Sequence, residues 1–191
     1  MTKYLVGTAL ALCFTATASF AQDWTLNSSD SRLAFGSIKN SYIGETHTFE
    51  GLTGTASSEG VVAIEIPLSN VSTNIDIRNE RMAEYVFNSV PSATLAATLE
   101  IDAFTAMQPG DTTTMEVDAT LSLLGNDVDV YTEVFVARLS GDSVLITTND
   151  MLFLDTDQLG IDGGIDKLQE LASLDSIARA TPITIRLGFE R

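Results

Sequence analysis

One cysteine, Cys13, occurs in 191 residues, and it lies in an apolar leader. The chain beyond residue 21 therefore has no thiol, which excludes disulfides, thiolate nucleophiles, iron–sulfur clusters and cysteine-rich zinc sites. Histidine is equally scarce. His47 stands alone, and a single imidazole without cysteines does not assemble the usual zinc set. It sits in the polar run Glu45-Thr46-His47-Thr48, which reads as a surface loop or strand edge. Basic residues number only ten against 26 acidic ones, a formal net charge of −16. That excess argues against binding to nucleic acid or to an anionic bilayer, both of which demand positive patches, and it favours solubility. No stretch after Ala21 offers the ~18 consecutive apolar residues of a spanning helix. Aromatic residues make up 7% of the chain, and the sequence ends in Glu190-Arg191. An outer-membrane barrel would instead carry an apolar outer band flanked by aromatic girdles. The chain also lacks a Gly-x-Ser-x-Gly elbow and a phosphate-binding glycine loop. The acidic run from Asp155 to Gly164 places Leu159 where a calcium loop needs an oxygen ligand. The sequence thus predicts no catalytic group, no metal and no resident cofactor.

The leader itself is legible. Lys3 supplies a positive start, Tyr4 to Phe14 is an apolar stretch too short to span a bilayer with margin, and Ser19-Phe20-Ala21 places small residues at the −3 and −1 positions of a cleavage site. Leu10-Ala11-Leu12-Cys13 is faintly similar to a lipoprotein box, but Leu12 is too bulky before a modified cysteine. Residues 1–21 are accordingly read as a cleaved secretory signal, and residues 22–191 as one domain delivered to the periplasm. Loss of Lys3 leaves the mature chain still more acidic.

Within that domain the dominant period is two, the mark of strands with one buried face. Val62, Ile64, Ile66 and Leu68 form one apolar row, and Leu95, Ala97, Leu99 and Ile101 form another. Val117, Ala119, Leu121 and Leu123 follow, then Val128, Val130, Val134 and Val136, then Ile183, Ile185, Leu187 and Phe189. Turn signals at 59–60, 109–111, 125–127 and 141–142 separate the rows and predict antiparallel hairpins. Two segments switch to helical spacing, 75–88 and 165–178, the second ended by Thr181-Pro182. This pattern fits a closed barrel able to hold one elongated apolar ligand, and equally a filled sandwich.

Residues 78–91, RNERMAEYVFNSVP, decide in favour of the barrel by resemblance. They resemble the signature of the YceI-like family, which usually shows Arg-Asp-x-His-Leu, then Phe-Phe-Asp, then Tyr-Pro. Arg78 matches the arginine, Met82 the leucine, Phe87 an aromatic and Pro91 the proline, while Asn79 and Arg81 replace the aspartate and histidine. Further segments resemble the family in order: Trp24 to Phe35, with Asp30-Ser31 in place of His-Ser; Phe49 to Gly54; Val71 to Asn74; Leu121 to Gly125, with Leu124 in place of histidine; and Leu154 to Gly160, with Thr156 in place of arginine. The resemblance implies an all-β fold, an eight-stranded antiparallel lipocalin-like barrel with one or two short helices around an apolar tunnel. It implies a binding or carrier protein, not an enzyme, for a polyisoprenoid, quinone or fatty-acyl ligand. A homodimer and an apolar small-molecule partner are in keeping with it, whereas stable membrane insertion is not.

Carried onto this sequence, the expected tunnel lining is Phe35, Ile64, Ile66, Met82, Phe87, Leu99, Leu121, Leu123, Val134 and Phe189. Arg78 and Arg81, three apart on a predicted helix, are candidates to contact a ligand head group. For Arg78 the alternative is a structural tie to barrel carbonyls or to Asp76 and Glu80. Two further functions remain in competition, an interaction protein built on a filled sandwich or barrel, and a lipid-modifying enzyme that would depend on His47.

Overall fold

Among the described residues the alternating rows become eleven strands, each antiparallel to its hydrogen-bonded neighbours. A computed structural model of the chain describes residues 23–100, 104 and 106–191. The signal segment and Ile101 lie outside the described residues. The strands are β1 (Trp24–Lys39), β2 (Ile43–Phe49), β3 (Thr53–Ala56), β4 (Val61–Pro67), β5 (Val71–Ser72), β6 (Ser92–Thr98), β7 (Thr112–Leu123), β8 (Asn126–Ser140), β9 (Ser143–Thr148), β10 (Leu152–Asp155) and β11 (Ala180–Glu190). Helix α1 (Asp76–Arg81) runs into a π-helical turn (Met82–Val86), and α2 (Asp162–Leu171) precedes β11. In β4 the period-two rule is obeyed residue by residue: Val62, Ile64 and Ile66 are buried while Val61, Ala63 and Glu65 are exposed.

The ring β1-β3-β4-β6-β7-β8-β9-β11 closes where β11 pairs with β1, from Thr25↔Glu190 to Phe35↔Ile183. This is the expected barrel of eight strands with two short helices. Three short strands extend it at one end: β2 beside β1, β5 beside β2, and β10 beside β11. A bulge makes this possible. Between Asn27 and Arg32 the register of β1 against β11 shifts, and β1 exchanges β3 (Trp24↔Ala56) for β2 (Leu33↔Phe49). Ser31 holds the bulge, donating from Oγ to the Asn27 carbonyl at 2.7 Å and accepting from the Gly188 amide at 3.1 Å. Position 188 must be glycine for this, since a Cβ there would lie 2.8 Å from Cβ of Asp30.

The helical segments depart from their sequence readings at the edges. The helix expected over 75–88 is α-helical for six residues only and then widens into the π turn. The helix expected over 165–178 begins at Asp162 and ends at Leu171. Ser173 turns the chain with φ +52°, and the following residues pair with the β1–β2 hairpin instead: the Asn40 amide donates to the Ser176 carbonyl at 2.9 Å, and the Ala178 amide to the Ile38 carbonyl at 2.8 Å. No helix among the described residues is long and apolar enough to cross a membrane.

Candidate functional site

The inward rows do not meet across the barrel. They enclose two cavities, of about 110 Å³ and about 410 Å³, which share no lining residue. The boundary runs around the wall between successive inward positions of the same strand. Ile64 lines the smaller chamber and Ile66 the larger; Leu95 and Ala93, Ala119 and Leu121, Leu152 and Leu154, and Ile185 and Ile183 divide in the same way. Inward neighbours on a strand are two residues apart, roughly 7 Å. The chambers are therefore stacked along the barrel, with successive inward side chains of one strand bordering first one and then the other. The smaller one is lined almost wholly by aliphatic and aromatic groups and reaches Trp24. Arg138 and Arg191 each lie over the Trp24 ring at 4.7 Å from its centroid. An apolar space of this kind stays dry in the absence of an apolar guest.

The larger chamber is roofed by helices. Ile75, Ile77, Arg78 and Arg81 reach it from α1 and the residue before it, Met82 and Val86 from the π turn, and Ile165 and Leu168 from α2. The two roof elements touch where α2 carries Gly164. A Cβ at that position would lie 2.5 Å from Cα of Val86 and would also strike the Tyr85 carbonyl. No residue of α2 is fully buried, because its apolar face borders the cavity.

One wall of this chamber is polar. Ser37 and Lys39 of β1, Glu45 and His47 of β2, and Arg78 of α1 all line it. Glu45 accepts from Lys39 Nζ at 3.0 Å and from an Arg78 guanidinium nitrogen at 2.7 Å. Burial pushes the Glu45 carboxyl up, and the hydrogen bonds and charges of Lys39 and Arg78 outweigh that, holding it below its ordinary range. Arg78 also donates to the Thr73 carbonyl at 2.6 Å. Thr73 is fixed in turn by Asn79, whose Oδ1 accepts from its hydroxyl at 2.6 Å and its amide at 2.9 Å. Asn79 thus ties α1 to the segment before it with a neutral acceptor. His47 is 4% exposed, shares a 2.8 Å hydrogen bond between Nε2 and Ser37 Oγ, and packs at 5.1 Å from the Phe35 ring. Phe35 lies 5.3 Å from Phe49, which lies 5.8 Å from Phe87. Burial, then the charge of Arg78, pushes the His47 imidazole below its ordinary 6.5, against a smaller opposing effect from Glu45.

Each residue named from the sequence borders one of the two spaces. Phe35, Ile66, Met82, Phe87, Leu121, Leu123, Arg78 and Arg81 line the larger chamber, and Ile64, Leu99, Val134 and Phe189 the smaller. The residues expected along one tunnel thus border two stacked cavities. His47 corrects the sequence reading: it is a buried wall residue, not a surface one. The signal was present, since Glu45, His47 and Phe49 alternate on one face, but the polar flanks concealed it. Arg78 bonds Glu45 of β2 and the Thr73 carbonyl in place of Asp76 or Glu80. Sequence reasoning also missed Ser37, Lys39 and Glu45, whose roles depend on strand partners distant in the chain.

Among solved structures, the chain is similar to a polyisoprenoid-binding domain from Saccharophagus degradans implicated in plant cell wall breakdown. The two are 31% identical, with 87% of this chain and 97% of that one covered and a TM-score of 0.85. The fold is also that of BcnA from Burkholderia cenocepacia, at 16% identity, 85% and 98% coverage and a TM-score of 0.64. It is shared too with a YceI protein from Campylobacter jejuni, at 9% identity, 76% and 84% coverage and a TM-score of 0.54. No protein-family profile matches the chain, and no curated protein matches it in sequence.

Proposed function

Because the chain belongs to the YceI-like family, as its likeness to the polyisoprenoid-binding domain establishes, we propose that it is a non-enzymatic periplasmic carrier. Its cargo would be one long apolar molecule of polyisoprenoid, quinone or fatty-acyl type, enclosed inside the barrel. The observation that carries this reading is the stack of two apolar chambers, about 410 Å³ and about 110 Å³, built on continuous inward rows. Ligand pockets are concave, mostly apolar and furnished with a few polar groups, and the larger chamber has that make-up. Transfer of apolar surface from water is worth about 25 cal/mol per Å², so a ten-carbon stretch gains several kcal/mol. Phe35, Ile66, Met82, Phe87, Leu121 and Leu123 would grip the ligand in the larger chamber, and Ile64, Leu99, Val134 and Phe189 the end of its tail. Arg78 and Arg81 would stand near its head. The leader at residues 1–21 would deliver the protein to the periplasm and be removed there.

The test is to express the full precursor in a bacterial periplasm, purify the product without detergent, and combine native mass spectrometry with solvent extraction. The expected result is an extra mass, stoichiometric with the chain, that extracts into organic solvent. A bare chain that also refuses quinones, polyprenols and fatty amides would overturn the proposal in favour of an interaction protein.

A further inference from the structure

The carrier reading assigns apolar walls to an apolar tail and leaves one buried polar group of the larger chamber without a task. Nδ1 of His47 is shielded from water and has no hydrogen-bond partner among the described residues, and the same holds for Nε of Arg78. Such orphans are uncommon in native proteins and call for an explanation. The surroundings narrow the choice of partner. Phe35 covers one side of the imidazole at 5.1 Å. Two of the three cations lining this chamber are already engaged, since Lys39 and Arg78 both bind Glu45. A diphosphate or carboxylate brought here would meet the Glu45 carboxylate and compete for cations already paired. A neutral oxygen would meet neither obstacle.

Resting on the carrier reading, we propose that His47 is the polar anchor for the ligand's head, with Nδ1 hydrogen-bonded to a neutral oxygen, a carbonyl or a hydroxyl, of a prenylated molecule whose tail fills the chambers. Ser37 allows both oxygens to be served. When its hydroxyl donates to Nε2, the imidazole proton resides on Nδ1, which donates to a carbonyl. When Nε2–H donates to Ser37, Nδ1 accepts from a hydroxyl. The lowered basicity of the buried ring keeps it neutral near pH 7 and preserves this choice. Phe35 stacked on Phe49, with Phe87 tilted against Phe49, supplies an aromatic apolar surface beside the anchor.

The experiment measures affinity of the untagged mature protein for four probes of matching tail length: a prenylated benzoquinone, a polyprenol, a prenyl diphosphate and squalene, which has no head group. The wild type is expected to bind the quinone or the polyprenol about ten-fold more tightly than squalene, the value of one hydrogen bond. His47→Phe should abolish that preference, so that headed and headless probes bind alike, and His47→Gln should retain part of it. Since His47 is the sole histidine, its imidazole resonances report without any substitution. They should move on addition of the probe whose oxygen is bound, carbonyl or hydroxyl, and stay fixed with squalene. Equal affinities for headed and headless probes, or a preference for the diphosphate, would overturn this anchor and leave the carrier intact. Failure of all four probes would overturn both.

Discussion

At the residue scale the polar wall is a compromise between burial and charge. Glu45 sits between Lys39 and Arg78 with all three side chains about a quarter exposed. Removing its charge by Glu45→Gln leaves two cations facing each other, a cost of about 1–3 kcal/mol, placed toward the lower end by solvent screening. Urea denaturation should read that loss near pH 7. The same residues set a pH dependence with a defined sign. His47 is held neutral in the fold below its ordinary 6.5, so between its folded and unfolded values the unfolded chain binds the extra proton. Stability is then complete above 6.5 and falls as pH drops through the window beneath it. Glu45 is depressed below its ordinary 4.5, so its contribution is complete above 4.5 and falls at lower pH. His47→Phe should therefore flatten the stability profile just below pH 6.5 and leave the more acidic limb in place.

At the scale of elements, the roof of the larger chamber depends on how closely α2 approaches the π turn. Gly164 is the contact, with no room for a side chain against Val86. Gly164→Val should push α2 off the turn and destabilise the roof by about 1–3 kcal/mol, the usual cost of overpacking. Hydrogen exchange should rise in residues 76–86 and 162–171 while the β7–β8 ladder, paired from Thr112↔Ala137 to Leu123↔Asn126, stays protected. The π turn marks the same economy. Met82 and Val86, at the two ends of the wider turn and four residues apart on one helix face, both reach the cavity.

At the scale of the whole molecule, function rests on what the barrel leaves unfilled. The smaller chamber exists because Ala56, Ala97 and Ala119 occupy inward positions; Ala97 and Ala119 face each other across β6 and β7. Ala119→Phe would place a ring in a space of about 110 Å³. Short-chain ligands should still enter the larger chamber of that variant, while affinity for long-chain ones should drop about ten-fold or more. A series of prenols of increasing length, titrated against both proteins, checks this.

The alternation of residues such as Val62, Ile64 and Ile66 determined the strands and the face each buries, because side chains on a strand alternate except at bulges such as that of β1. The order of motifs around Arg78 and Pro91 pointed to the family and with it to the closed barrel, which likeness to a solved structure then established. What only the tertiary structure decided was which inward residues share a space. Ile64 and Ile66 look equivalent in sequence, yet they border different chambers, because the division depends on residues from other strands at the same height. His47 read as a surface residue from its polar flanks, and only pairing Phe35↔His47 across β1 and β2 buries it beside Ser37 and Glu45. Local pattern carries the backbone's periodicity, whereas a cavity and its charges arise from contacts between segments far apart in the chain.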